Sequence, residues 1–210
     1  MNTPTLLNPL NRPVRALRLV PMIAAALLVA ACAHPMAIGP DIARVERDAA
    51  LRPIDRHVGY YIAPHRLDEA VTTPGGGGDS VTYKPYRDIE AAFYKMLGNV
   101  FASVTKLKSP NDAEAIGRNS ISYVITPEIS TGSYSPSIFT WPPTQFTVHL
   151  TCNIADQNGT SVARTTVTGN GQAEFEEFKS DFSLSGKRAA LDAVLKMQDV
   201  LLNHAEFQGR

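Results

Sequence analysis

The chain has 210 residues, 44% of them hydrophobic and 19% charged, with 20 basic side chains against 20 acidic ones. A balance this even lacks the basic footprint of nucleic-acid binding and excludes that class of partner. Two cysteines are too few for a disulfide scaffold, so a single-domain core of apolar side chains has to supply the stability.

The first element is a leader. Arg12, Arg15 and Arg18 precede an apolar run at residues 22–31, and no acidic residue occurs before Asp41. That run is about half the length a membrane-spanning helix needs. A basic flank, a short apolar stretch and small residues at its end predict a secretory signal peptide over residues 1–31. Val29-Ala30-Ala31-Cys32 resembles the lipobox of bacterial lipoproteins, which implies that Cys32 becomes the acylated first residue, carrying palmitate, and ties the chain to a membrane. Ala33 follows it where an aspartate would retain such a protein at the inner membrane, so the resemblance implies an outer-membrane, periplasm-facing location. Removing residues 1–31 takes Lys+Arg from 20 to 17 against an unchanged 20 Asp+Glu, a net charge of about −3. Cys152 is then alone, and its place on an apolar stripe predicts a buried thiol.

Residues 32–56, with Pro35, Gly39, Pro40 and Pro53 around a charged stretch, read as a lipidated N-terminus and tether with a short helix near 41–50. The folded periplasmic domain is expected over residues 57–210. It opens with a strand at 57–62, closed by Pro64. Four glycines at 75–78 predict a flexible loop; Asp79-Ser80-Val81 lacks the Gly-Lys-Ser/Thr ending of a phosphate loop. Ile89, Phe93, Met96, Leu97, Val100, Val104 and Leu107 recur at three- and four-residue spacing and predict an amphipathic helix over 88–107, with a core role for its stripe.

Three strands follow: one at 122–129 interrupted by Pro127, one at 146–154 with strict alternation, and a return arm at 160–168 after the Asn158-Gly159 turn. Gly169-Asn170-Gly171 reads as a bend or bulge. A last helix starts near Ser185 with Leu191, Val194, Leu195, Met197, Leu201 and Leu202 on a broad apolar face, and with Ala189, Ala190 and Ala193 small enough for close approach to a sheet. The expected fold class is α+β: a two-layer sandwich of one largely antiparallel sheet with the two amphipathic helices on one face. Thr147, His149, Thr151 and Asn153 would line its opposite, polar face, toward water or a partner.

No catalytic residue, metal ligand or cofactor site is indicated. His149 and Cys152 are three apart on a strand and point to opposite faces; His57 and His65 show no ligand spacing. Gly132-Ser133 lacks the context of a nucleophile elbow, and Glu174, Glu176, Glu177 and Asp181 read as a solvated acidic face beside Phe175, Phe178 and Phe182. Residues 134–143 are the remaining candidate. Tyr134, Phe139 and Trp141 on a proline-stiffened loop suit partner binding; closure of one end of the core by Phe139 and Trp141, or a membrane contact, are the alternatives.

The lipobox, the helix over 88–107, the strand from Phe146 into the Asp156–Gly159 turn and the terminal helix together resemble small Gram-negative envelope lipoproteins of the YajG type and, more distantly, the lipopolysaccharide-assembly lipoproteins. The resemblance implies a non-enzymatic, lipid-anchored binding or assembly accessory with an envelope protein partner. A carrier or sensor of an apolar ligand such as a lipid is the alternative, and a cell-wall hydrolase would need a catalytic pair that the sequence does not offer.

Overall fold

The alternating stretch around His149 becomes the middle strand of the longest ladder in the protein. The computed structural model describes residues 33–137 and 142–208. In chain order the elements are β1 (Ala33–Pro35), a 3-10 turn (Ile42–Arg44), β2 (Ile54–Tyr60), α1 (Pro64–Asp68), β3 (Val71–Pro74), β4 (Ser80–Tyr83), α2 (Pro85–Val100), β5 (Phe101–Lys106), α3 (Ala113–Arg118), β6 (Tyr123–Tyr134), β7 (Gln145–Asp156), β8 (Ser161–Gln172), α4 (Phe175–Phe178), α5 (Leu184–Leu202) and α6 (Ala205–Gln208). They build a five-stranded sheet in the order β5-β2-β6-β7-β8 and a three-stranded sheet in the order β1-β4-β3. The pairs β5–β2, β2–β6 and β1–β4 are parallel; β6–β7, β7–β8 and β3–β4 are antiparallel.

Local chemistry accounts for the hairpin. The Asp156 carboxylate accepts from the amides of Asn158 and Thr160, each at 2.8 Å, and Gly159 takes the positive φ of 82° that the turn requires. Pro127 does not interrupt β6, because pairing with β2 stops at Ile125. The amide of Ile129, two residues on and so on the same side, faces away from β7 to the Tyr86 hydroxyl. The missing N–H of Pro127 therefore falls on an unpaired strand edge, where proline costs no ladder bond.

The helix expected over 88–107 ends at Val100, and the chain turns extended at Phe101 (φ −115°, ψ 154°) to form β5. Val104 and Leu107 fit both a helical stripe and a strand. Parallel pairing of Val58 with Val104 and donation from the Leu107 amide to the Tyr60 carbonyl at 2.9 Å decide for the strand.

The two-layer sandwich with two helices on one face is not the architecture found. One face of the large sheet carries the main core, against which α2 and α5 pack; the three-stranded sheet joins that side, with the Tyr83 and Phe146 rings edge to face at 5.3 Å. On the reverse face, Leu107, Ala115, Ile121 and Val124 form a second core beneath α3, and Gly59 leaves room there for the Leu107 side chain. The difference has a physical origin: β1, β3, β4 and α3 are too short to show a periodicity, so no sequence pattern announces them.

Residues 33–45, expected as a tether, are folded. The Met36 amide donates to the Thr82 carbonyl at 2.9 Å and the Ile38 amide to the Asp88 carboxylate at 3.0 Å, while Ile38 and Val45 are fully buried. Asn99, buried on α2, donates to the Val45 carbonyl (3.0 Å) and to the Gln198 side chain of α5 (2.8 Å), and Gln198 donates to the Glu46 carbonyl (2.8 Å). Asn99 Nδ2 and both polar atoms of the Gln198 amide therefore have partners, as burial demands.

Candidate functional site

Across β6, β7 and β8, register sets the face opposite the main core in cross-strand rows. Thr126, Asn153 and Arg164 form one row; Glu128, Thr151 and Thr166 the next; then Ser130, His149 and Thr168. Gly132, Thr147 and Asn170 follow, and Tyr134, Gln145 and Gln172 end the set. Most of these side chains meet solvent. They are held by one another: Thr151 and Thr166 hydroxyls lie 2.8 Å apart, His149 Nδ1 is 2.9 Å from the Thr168 hydroxyl, and Glu128 accepts from Asn153 at 2.9 Å and Arg164 at 3.0 Å. The polar face expected from Thr147, His149, Thr151 and Asn153 is thus three strands wide.

α5 closes the outer edge of this face. Gly169 and Gly171 of β8 lie directly under the helix, where a β-carbon would strike backbone atoms of Ser185, Ala189 and Ala193. Gly169-Asn170-Gly171 is therefore a seat for a helix, not a bulge. From that seat, side chains one turn apart reach the unpaired strand edge: Arg188 donates to the Gln172 carbonyl (2.7 Å), Asp192 accepts from the Asn170 amide (2.9 Å), and Lys196 donates to the Thr168 carbonyl (3.0 Å). Covering an edge in this way blocks strand addition there. The i, i+4, i+8 spacing of these three residues was visible in the sequence; their strand partners were not.

The remaining candidates separate. Cys152 is fully buried on the core face, where burial pushes its thiol pKa up, and His149 stands exposed on the other face. Among the described residues no group of three His, Cys, Asp or Glu side chains could hold a metal ion. The acidic run is engaged in ion pairs: Glu176 with Lys179 (2.7 Å), Asp181 with Lys187 (2.8 Å), and Glu177 with Arg188 at 2.7 and 3.0 Å. The Arg188 guanidinium, helped by the Glu174 amide, brings the Glu177 carboxyl down to about 2. Tyr134 ends β6 with its side chain exposed, whereas Cys32, Phe139 and Trp141 lie outside the described residues. Among the described residues no helix is long and apolar enough to cross a membrane.

No family model matches the chain, and no curated protein matches it. Among solved structures, protein XCC0632 from Xanthomonas campestris, of family model DUF330, is 11% identical with a TM-score of 0.52, over 81% of this chain and 95% of that one. A minor lipoprotein from Acinetobacter baumannii is 13% identical with a TM-score of 0.39, over 71% and 93% of the two chains. The PelC dodecamer from Paraburkholderia phytofirmans is 16% identical with a TM-score of 0.36, over 70% and 95%. The first likeness shows a shared fold, and the other two are too distant to support an argument. The expected description by two amphipathic helices is corrected: among the described residues the chain builds two sheets, six α-helices and a 3-10 turn. None of these likenesses carries the lipoprotein, membrane or periplasm terms to this chain.

Proposed function

We propose that the protein is a non-enzymatic binding accessory of the cell envelope, tethered through acylated Cys32 at the outer membrane, and that it meets a protein partner with the polar face of β6–β8. The observation that carries this reading is the face itself. Helices and the small sheet cover the core side of the large sheet, while His149 and Thr166 on the opposite face are exposed and hydrogen-bonded across strands to Thr168 and Thr151. Side chains already held by their neighbours lose little entropy when a partner arrives. A carrier of an apolar ligand is less favoured, because Phe93, Met96, Leu97, Leu150, Ile154 and Met197 fill the space between helices and sheet at 0–1% exposure.

Photo-crosslinking residues placed at His149 and Thr166 in cells test the reading, with Glu114 on α3 as the control. A discrete adduct from both face positions and none from the control is expected. Absence of an adduct from either face position overturns the proposed partner surface.

A further inference from the structure

Ala33, the residue that follows Cys32 in the sequence, already belongs to the fold. Ala33 opens β1 and pairs with Ser80 of β4, which pairs in turn with Pro74 of β3. The Pro74 carbonyl accepts from the Ser133 hydroxyl, and Ser133 immediately precedes Tyr134 at the end of β6. Two strand steps and one side-chain hydrogen bond therefore join Ala33 to Tyr134, a separation on the order of 15 Å at about 4.8 Å per strand.

The same end of the molecule carries exposed aromatic side chains. Tyr134 is 57% exposed, Phe175 53% and Phe182 48%, half of the six large hydrophobic side chains that stand exposed among the described residues. Pro136, Thr144, Gln145, Phe175 and Phe178 line a shallow groove of about 410 Å³ between them. The start of α5 belongs to this end too, because the Ser185 hydroxyl donates to the Pro143 carbonyl at 2.6 Å. The opposite end of the β6–β8 ladder is the polar turn from Asp156 to Thr160.

We infer that this end rests on the bilayer surface that holds the acyl chains, with Tyr134, Phe175 and Phe182 at headgroup level and β6–β8 standing away from the membrane. The inference rests on acylation of Cys32. One peptide bond separates the anchor from a residue already locked into a sheet, so the bilayer meets whatever surrounds Ala33. Aromatic rings favour the membrane interface, where an apolar body and a polar rim are both accommodated. Lys179, Lys187 and Arg188 at this end are each engaged by a carboxylate, so contact does not depend on anionic lipid. The polar face is left pointing sideways along the membrane, toward partners at the same surface.

The test uses full-length lipidated protein in phosphatidylcholine vesicles, spin-labelled through Tyr134→Cys, Phe175→Cys or Asn158→Cys. Buried Cys152 takes no label in the folded protein. Vesicle flotation reports the anchor, and collision with a water-soluble nickel chelate reports depth. Labels at 134 and 175 are expected to be shielded at least about threefold relative to 158, as interfacial groups are. Protein that floats with all three labels equally open overturns the inference and leaves the anchor standing. Protein that does not float overturns the anchor, and the inference with it. Shielding that persists in Cys32→Ser protein without vesicles marks a protein contact and rejects the lipid surface as occupant.

Discussion

Replacing Gly171 or Gly169 by alanine tests how α5 is seated. At Gly171 the added β-carbon meets the Ser185 carbonyl oxygen and the Ala189 amide nitrogen; at Gly169 it meets the Ala189 carbonyl and the Ala193 amide. All four approaches fall inside the 3.0 Å that real β-carbons do not cross, and all four atoms are helix backbone, so no rotamer change relieves them. The helix has to lift by about 1 Å, and a gap of that size forfeits roughly a quarter to a half of the dispersion energy along the contact. Ala189, Ala190, Ala193, Val194 and Met197 are all 0–1% exposed, so that loss falls on the centre of the core. Overpacking alone costs about 1–3 kcal/mol; with the lift, each substitution should cost about 3 kcal/mol, or about 6–12 °C in melting temperature for a domain of this size. The double variant should cost less than the sum, because one displacement relieves both clashes. Gly132→Ala is the control: nothing lies within 4 Å of its β-carbon position, and removing a strand glycine should be neutral or stabilising by about 0.5 kcal/mol. Thermal and urea unfolding read all four variants. A Gly171→Ala protein that melts with the wild type, or a Gly132→Ala protein that falls as far, would refute the account of a helix seated on bare backbone.

Three further outcomes are expected. Asn99→Ala strands the Val45 carbonyl and the Gln198 side-chain oxygen in the interior and should destabilise by about 2–3 kcal/mol in urea unfolding; a loss under about 0.5 kcal/mol would show that the amide pair is not structural. The folded-state carboxyl of Glu177, at about 2, lies below its ordinary 4.5, so ionisation favours the fold. The stability advantage of wild type over Glu177→Gln should be complete above pH 4.5 and vanish as pH falls toward 2, and melting curves showing a constant gap across that window would contradict it. Cys152 is fully buried with its thiol pKa raised; thiol reagents should modify it only at the rate of global unfolding, and fast labelling in native buffer would place it elsewhere.

The central hairpin was legible because its determinants are local. Alternation from Phe146 to Ile154 fixes which side chains face the core, and the Asp156–Gly159 turn sets the return, so the observed strands Gln145–Asp156 and Ser161–Gln172 extend the expected ones without moving their faces. The small residues Ala189, Ala190 and Ala193 likewise announced a close helix–sheet contact, which Gly169 and Gly171 complete from the other side. Where one pattern served two structures, as with Val104 and Leu107, the sequence predicted a longer helix and pairing with Val58 and Tyr60 made a strand.

The sequence by itself determined an amphipathic helix, a polar-faced hairpin and a closing helix, since each of these is written in neighbours a few residues apart. Tertiary structure alone decided that residues 33–45 belong to the fold and that Arg188, Asp192 and Lys196 seal the edge of β8. It also set Ala33 at the same end as Tyr134 and Phe175. Those facts depend on contacts between residues far apart in the chain, whose free energy appears only once the whole core has assembled.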